Sequence, residues 1–322
     1  MCTRGSVYYA GSMRLFVGVT DDQWFHLLAG HTEWKEVNFW RPSGLGFQAL
    51  GEGELFLFKL HAPHHFIVGG GFFARALRLP LSLAWEAFRK ANGVEDLPTM
   101  RRRIARYRRQ PEDRLGNPDL TCLLLAEPFF LNRGEWIPVP ASFKPNVVVG
   151  KGYDTTTEEG RWLFDAVMER LKIRAWEDKP ATLAAVSTPR FGAPRIVRPR
   201  LGQGAFQALV TEAYGRRCAL TGEKTLPVLE AAHVQPYAAG GPHDVSNGLL
   251  LRSDLHRLYD QGYVTVDPDD RRLLVSRRIR EEFQNGRHYY ALEGQVLAEP
   301  QQGFSPLARE RLLYHAEQIY RA

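Results

Sequence analysis

Apolar positions fall in short runs through the first 150 residues, and after residue 200 in one helical stripe followed by two short runs. Residues 15–19 predict a strand, and 21–29 a short helix with Thr20 or Asp21 as N-cap. Residues 54–60 form an apolar run suited to a central strand. Residues 61–65 break it and 66–73 resume it, so the pair reads as a β-hairpin whose second strand carries Gly69, Gly70 and Gly71. Residues 82–92 predict a helix with Leu83, Trp85, Ala87 and Phe88 as its buried stripe, Ser82 as cap and Gly93 as C-cap. A second helix is expected over 99–110, a buried strand over 121–126 and a helix over 157–174.

After residue 200 the pattern changes. Residues 204–215 form an amphipathic helix with Phe206, Leu209, Val210 and Ala213 on one face. Residues 228–234 have strand character and end in Gln235-Pro236. The stretch 237–246 holds Gly240, Gly241 and Pro242 and must be a loop. Residues 248–252 form a second short strand, and Ser253 can cap a helix running to Asp260. The order is strand, loop, strand, helix.

The chain has 322 residues, enough for two domains with separate cores. Residues 189–200 hold three prolines and four arginines and read as an extended linker. The expected organisation is a disordered extension over 1–13, a first domain over 14–188, the linker over 189–202 and a second domain over 203–322. The start has no apolar stretch of signal-peptide type, and Met13 can serve as the working start. No uninterrupted apolar run is long enough to span a membrane, so the expected location is the cytoplasm. Cys2, Cys122 and Cys218 are far apart and form no Cys-x-x-Cys pair, so neither a zinc ribbon nor a disulfide framework is expected; Cys122 belongs to a core. The net charge is +6, with 34 arginines against 8 lysines. That balance permits a nucleic-acid partner, and base composition of the genome explains it equally well.

The strand–loop–strand–helix segment carries the chemistry. His233 ends the first strand, Asn247 follows fourteen positions later and His256 nine after that, with Asp260 one helical turn on. Phosphodiester hydrolysis needs an activated water and neutralisation of the leaving oxygen. A neutral imidazole is a suitable base near pH 7, which assigns that role to His233. His256 and Asp260 stand at i and i+4 on one helix face and can share a divalent ion. Asn247 can pin the loop and orient the base. Over about 217–275 the segment resembles the His-Asn-His (HNH) nucleases. The resemblance implies a ββα-metal module with His233 as general base, Asn247 as structural asparagine, and His256 and Asp260 as ligands. Such nucleases mostly place an aspartate or histidine just before the base, where this chain has Ala232. Glu230 is the nearby carboxylate and reaches the ion through water, so two protein ligands, waters and phosphate would hold one Mg²⁺ or Mn²⁺ per active site. Arg252 and Arg257 flank the site as candidate phosphate contacts. His243 is read as a loop residue facing solvent, with contact to DNA as the alternative.

The front half is similar to the PUA-like group, which includes the EVE and SRA domains. That resemblance rests on Asn38-Phe-Trp-Arg-Pro-Ser43, the 54–60 strand and the glycine turn at 69–71. It implies a compact β-barrel with helices that holds a flipped or modified base in an aromatic pocket. Trp24, Phe39, Trp40 and Phe47 are candidate walls, and Arg41, Ser43 and Lys59 candidate polar contacts. The run 101–109 has six arginines in nine positions. Arg102, Arg106 and Arg109 share a helix face, which serves either as a phosphate-tracking surface or as a solvated one. His61, His64 and His65 read as a polar hairpin tip.

The expected fold class is thus α+β: a PUA-like β-barrel, a linker and a ββα-metal nuclease domain. The expected function is a modification-dependent DNA endonuclease that restricts foreign DNA, acting on double-stranded DNA with modified bases. It would leave a 5′-phosphate and a 3′-hydroxyl, and cut both strands as a homodimer. Two alternatives stand beside it: a modified-nucleic-acid binding protein with an inactive HNH module, and a conventional sequence-specific HNH restriction enzyme.

Overall fold

The structure is a computed structural model that describes residues 12–31, 33–43, 46–177 and 201–322. The extension expected over 1–13 and the linker expected over 189–202 lie outside the described residues, apart from the last two positions of each. Two compact units emerge. The first ends at Arg78 and resumes at Arg89; the second comprises Leu79–Phe88 and Leu201–Ala322. No described helix is long and apolar enough to cross a membrane.

The first unit contains β1 (Arg14–Thr20), α1 (Asp22–Ala29), β2 (Glu36–Arg41), β3 (Leu55–Leu60) and β4 (Phe66–Pro80). The chain then enters α2 (Leu81–Phe88), which packs with the second unit, and returns to the first through α3 (Leu97–Arg108). β5 (Asp119–Phe130), β6 (Ile137–Pro138), β7 (Gly150–Asp154) and α4 (Glu158–Glu177) complete it. The strands form one sheet in the order β2-β5-β4-β3-β1-β7, with β6 also on β4. β1 runs parallel to β3, while β3 and β4 form the expected antiparallel hairpin with a bulge at Phe58/Lys59. Asp21 caps α1 by accepting from the Gln23 and Trp24 amides at 2.9 and 3.1 Å.

The expected barrel does not close: the sheet is open, with β2 and β7 at its ends. β3 shows how the open sheet is covered, since all six of its residues are buried. Leu55 and Leu57 pack with Leu163, Phe164 and Val167 of α4, while Phe56, Phe58 and Leu60 pack with Trp24, Phe25 and Leu28 of α1. A strand apolar on both faces needs a layer on each side. Here α4 contributes to one layer and α1 to the other.

The second unit contains α5 (Gln203–Ala213), β8 (Leu229–His233), β9 (Gly248–Arg252) and α6 (Ser253–Asp260). β10 (Val264–Val266), β11 (Leu273–Val275), α7 (Arg278–Phe283), α8 (Arg287–Tyr290) and α9 (Arg309–Gln318) follow. β8 and β9 pair antiparallel, setting His233 opposite Gly248. Ser253 is the first residue of α6 rather than its cap, a position taken by Arg252, and Asp254 pairs with the Arg252 guanidinium at 2.7 and 2.8 Å.

Behind α6 lies a buried polar lock. His315 on α9 is 1% exposed and stacks on Tyr259 at 3.6 Å. Its Nε2 bonds the Tyr259 carbonyl at 3.0 Å and its Nδ1 the Thr265 hydroxyl at 2.8 Å. Burial pushes its pKa down to about 4. The unfolded chain therefore takes up this proton first, and stability is lost as pH falls from about 6.5 towards 4. The expected loss from this residue is about 3 kcal/mol at pH 4. Urea midpoints at pH 7 and pH 4.5 check this. The wild type should drop more steeply than His315→Asn, and equal slopes would refute the assignment.

Candidate functional site: a histidine cleft and an aromatic pocket

His233 sits at the exit of β8, where the hairpin must admit α5. A Cβ on Gly248, its partner across the ladder, would lie 2.3 Å from Val210 Cγ2. Glycine there lets α5 approach, and Phe206 of α5 stacks on the His233 ring at 3.9 Å and 12°. Burial, and then the charges of His243 and His256, push the His233 pKa down to about 4. The imidazole is therefore neutral at pH 7 and able to accept a proton.

Asn247 is fully buried and fastens the loop that follows β8. Its Oδ1 accepts from the Gln235 amide at 2.8 Å, and its Nδ2 donates to the carbonyls of Gln235 at 2.9 Å and Pro242 at 3.0 Å. Gly240 turns the loop at φ 83°, and a Cβ on Gly241 would lie 1.9 Å from the Gln235 carbonyl oxygen. The closed loop brings in a residue expected to face solvent. His243 Nδ1 lies 2.9 Å from His233 Nε2, and the His243 ring stacks on Tyr237 at 4.3 Å and 11°. The sequence reading missed this contact.

On α6, the Nε2 of His256 lies 3.3 Å from Asp260 Oδ2, while its Nδ1 lies 2.6 Å from Glu230 Oε2. Glu230 thus contacts the ring nitrogen opposite the one beside Asp260. Burial is the main cause raising the Asp260 pKa, and Glu230 adds to it, while His256 acts the other way. Two ligand atoms at right angles on an octahedral ion of Mg²⁺ size lie about 3 Å apart. The His256–Asp260 pair fits that spacing, and Glu230 fits a carboxylate that orients a ligating imidazole. Ala232, fully buried, adds no ligand. Among the described residues no group of three or more His, Cys, Asp or Glu side chains is arranged to hold a metal. Two protein ligands would leave the rest of a shell to water and phosphate. Arg252 is committed to Asp254, whereas Arg257 is exposed.

In the first unit, Trp24, Phe39, Trp40, Arg41 and Ser43 line one cavity of about 1030 Å³. Trp40 is fixed by its indole donating to the Asn92 carbonyl at 2.8 Å. Phe47 and Lys59 are elsewhere. Phe47 packs on Phe16 at 5.1 Å and Phe73 at 5.4 Å, and Lys59 lies beside His65 at 3.2 Å and over Phe143. The sequence reading did not place Asp21, His61, Arg103, Tyr107 or Arg108 on this wall. Arg108 donates to the Pro42 carbonyl at 2.6 and 2.9 Å and so anchors the loop after Trp40. Tyr107 donates to Asp21 at 3.2 Å. The arginine run is thus divided in its duties: Arg103 and Arg108 build the wall, while Arg102 and Arg106 are exposed and Arg102 bonds Thr99.

No curated protein matches the chain. Among solved structures, ASCH from Zymomonas mobilis aligns with 47% of this chain and 94% of its own, at 13% identity and a TM-score of 0.31. A structure described as the modification dependent TagI restriction endonuclease aligns with 90% of this chain and 78% of its own, at 12% identity and a TM-score of 0.25. Scores of that size establish no shared fold. A family model is more specific: residues 218–267, which hold His233, Asn247, His256 and Asp260, match the HNH endonuclease family, and this segment is an HNH endonuclease domain.

Proposed function

We propose that the protein is a divalent-metal-dependent DNA endonuclease whose first unit directs it to DNA carrying a modified base. The observation that carries the reading is the convergence, within the HNH-matching segment, of a neutral stacked histidine and a His256–Asp260 pair at ion-ligand spacing. His256 and Asp260 would hold one Mg²⁺ or Mn²⁺, which when bound neutralises charge on the phosphate and the leaving oxygen. His233 takes a proton from the attacking water. Asn247 keeps the loop closed, so that the base keeps its place. Glu230 accepts from His256 Nδ1, fixes its tautomer and leaves Nε2 for the ion. Each domain has one such cleft, so a double-strand cut takes two copies.

The aromatic cavity supports the base-directed part. It has room for a nucleotide, apolar walls for stacking, and Asp21, Arg41 and Ser43 for contacts to base edges. The matching experiment is cleavage of DNAs that differ only in cytosine modification, by the full chain. The expected result is preferential cutting of a modified substrate, lost in Trp40→Ala. Equal cutting of modified and unmodified DNA would leave a conventional sequence-reading nuclease. The buried alanine at position 232 favours a second reading, a binding protein whose nuclease module is silent. Binding of modified DNA without nicking in Mg²⁺, Mn²⁺ or Ni²⁺ would select it.

Glu230→Gln weakens the hold on His256. The Mn²⁺ concentration for half-maximal nicking should rise about 10–100-fold. A titration curve coincident with wild type would remove Glu230 from the metal's support.

A further inference from the structure

The His233–His243 contact is left over once the HNH roles are assigned. Both rings are clamped on a face, His233 by Phe206 and His243 by Tyr237. The 2.9 Å approach of Nε2 to Nδ1 fits a single hydrogen bond between them. With both imidazoles neutral, one proton lies in such a contact, and it takes one of two arrangements. In the first, His233 carries its proton on Nε2, donates to His243, and leaves its own Nδ1 unprotonated. In the second, His243 donates from Nδ1 and the neutral His233 carries its proton on Nδ1. Only the first leaves His233 a nitrogen that can accept a proton from water.

We propose that His243 is a positioning residue that selects the Nε2–H form of His233 and shares the charge His233 acquires in the reaction. The inference rests on the nuclease reading above. In the step it serves, a water O–H bond breaks and an Nδ1–H bond forms on His233. The water oxygen's electron pair forms the new bond to phosphorus, and the bond to the 3′ oxygen breaks with its pair leaving on that oxygen. His233 becomes an imidazolium whose Nε2–H still points at the His243 lone pair. The orienting group of a catalytic triad plays the same part, with a carboxylate in place of the second imidazole. The loop architecture serves this contact. Asn247 and Gly241 close the turn that delivers His243, and the exposed Tyr237 holds its outer face.

Two variants of the full chain separate positioning from bulk structure. His243→Phe keeps a ring to stack on Tyr237 and deletes the acceptor. His243→Asn loses the ring but sets an amide oxygen near the Nδ1 position. The expected result is a fall in kcat of about 10–100-fold in His243→Phe at unchanged KM, with most of it recovered in His243→Asn. A His243→Phe enzyme as fast as wild type, or a His243→Asn enzyme as slow as His243→Phe, would overturn the proposal. ¹⁵N imidazole spectra of the uncut, DNA-free protein give the second readout, assigned with His233→Ala. They should show a protonated Nε2 and a bare Nδ1 on His233, and that preference should weaken in His243→Phe. Finding Nδ1 protonated on His233 in the wild type would also overturn it. The spectra need no activity, so a protein that never nicks DNA fails as a nuclease while the tautomer assignment is still decided.

Discussion

Replacement of His233 by alanine is expected to slow nicking by about 10²–10⁴-fold, the range a positioned general base contributes. The size follows from the surroundings of the ring. A pKa pushed down to about 4 leaves the imidazole unprotonated across the physiological range, and stacking on Phe206 removes the entropy of orienting it. The lost ring also leaves Phe206 uncovered, so a melting curve must accompany the assay. His233→Asn, which fills part of the gap and carries no basic nitrogen, should stay as slow as alanine. Activity within threefold of wild type in a folded His233→Ala chain would end the assignment of this residue as base.

The second large effect belongs to Asn247, and it is structural before it is chemical. Alanine at this buried position strands one amide and two carbonyls of the loop, those of Gln235 and Pro242. Each unsatisfied buried group costs about 1–3 kcal/mol, and because these three bonds are only part-buried a total in the lower part of the summed range, roughly 3–5 kcal/mol, is expected. Aspartate is no remedy. It keeps the acceptor that faces the Gln235 amide, but it puts an oxygen where two carbonyls need a donor. Asn247→Asp should therefore lose as much stability as Asn247→Ala, and both should lose nicking together with the loop. Urea midpoints of the three chains check the ordering. A stable Asn247→Asp chain would mean that the loop is held by something else.

The nuclease segment was legible in the sequence because its signals are local. β8, β9 and α6 are consecutive, each is marked by its own apolar pattern, and the i,i+4 spacing of His256 and Asp260 fixes a shared face without tertiary knowledge. His243 was not legible in that way. Its placement depends on a turn closed by Asn247 and on the absence of a side chain at Gly241, and neither registers in hydrophobic periodicity. The contact of Glu230 with His256 has the same origin: β8 and α6 must be packed before a strand carboxylate can be seen to meet a helix imidazole.

The first unit was harder for two reasons. The run Leu55–Leu60, apolar except for Lys59, announced a central strand, but not that α1 and α4 would cover its two faces. The arginine run was read by composition, as a solvent or phosphate face. In the structure Arg108 is committed to the carbonyls of Pro42 and Asp119, and Arg103 to Gln23 and Gly93. Guanidinium groups satisfy backbone carbonyls as readily as phosphates, and sequence does not distinguish the two duties. Trp40, expected in a loop beside Arg41-Pro42, stands instead in β2 one residue from its end, where it lines the cavity.

In the proposed function, the cleft of His233, His256 and Asp260 hydrolyses DNA with the help of a divalent ion. The most direct measurement is the rate at which a supercoiled plasmid carrying modified cytosine is nicked by the full chain, followed against Mn²⁺ concentration beside His233→Ala. The expected result is nicking that is absent in chelator, rises to saturation with Mn²⁺, and falls to the background in His233→Ala. Nicking that persists undiminished in chelator or in His233→Ala would contradict it.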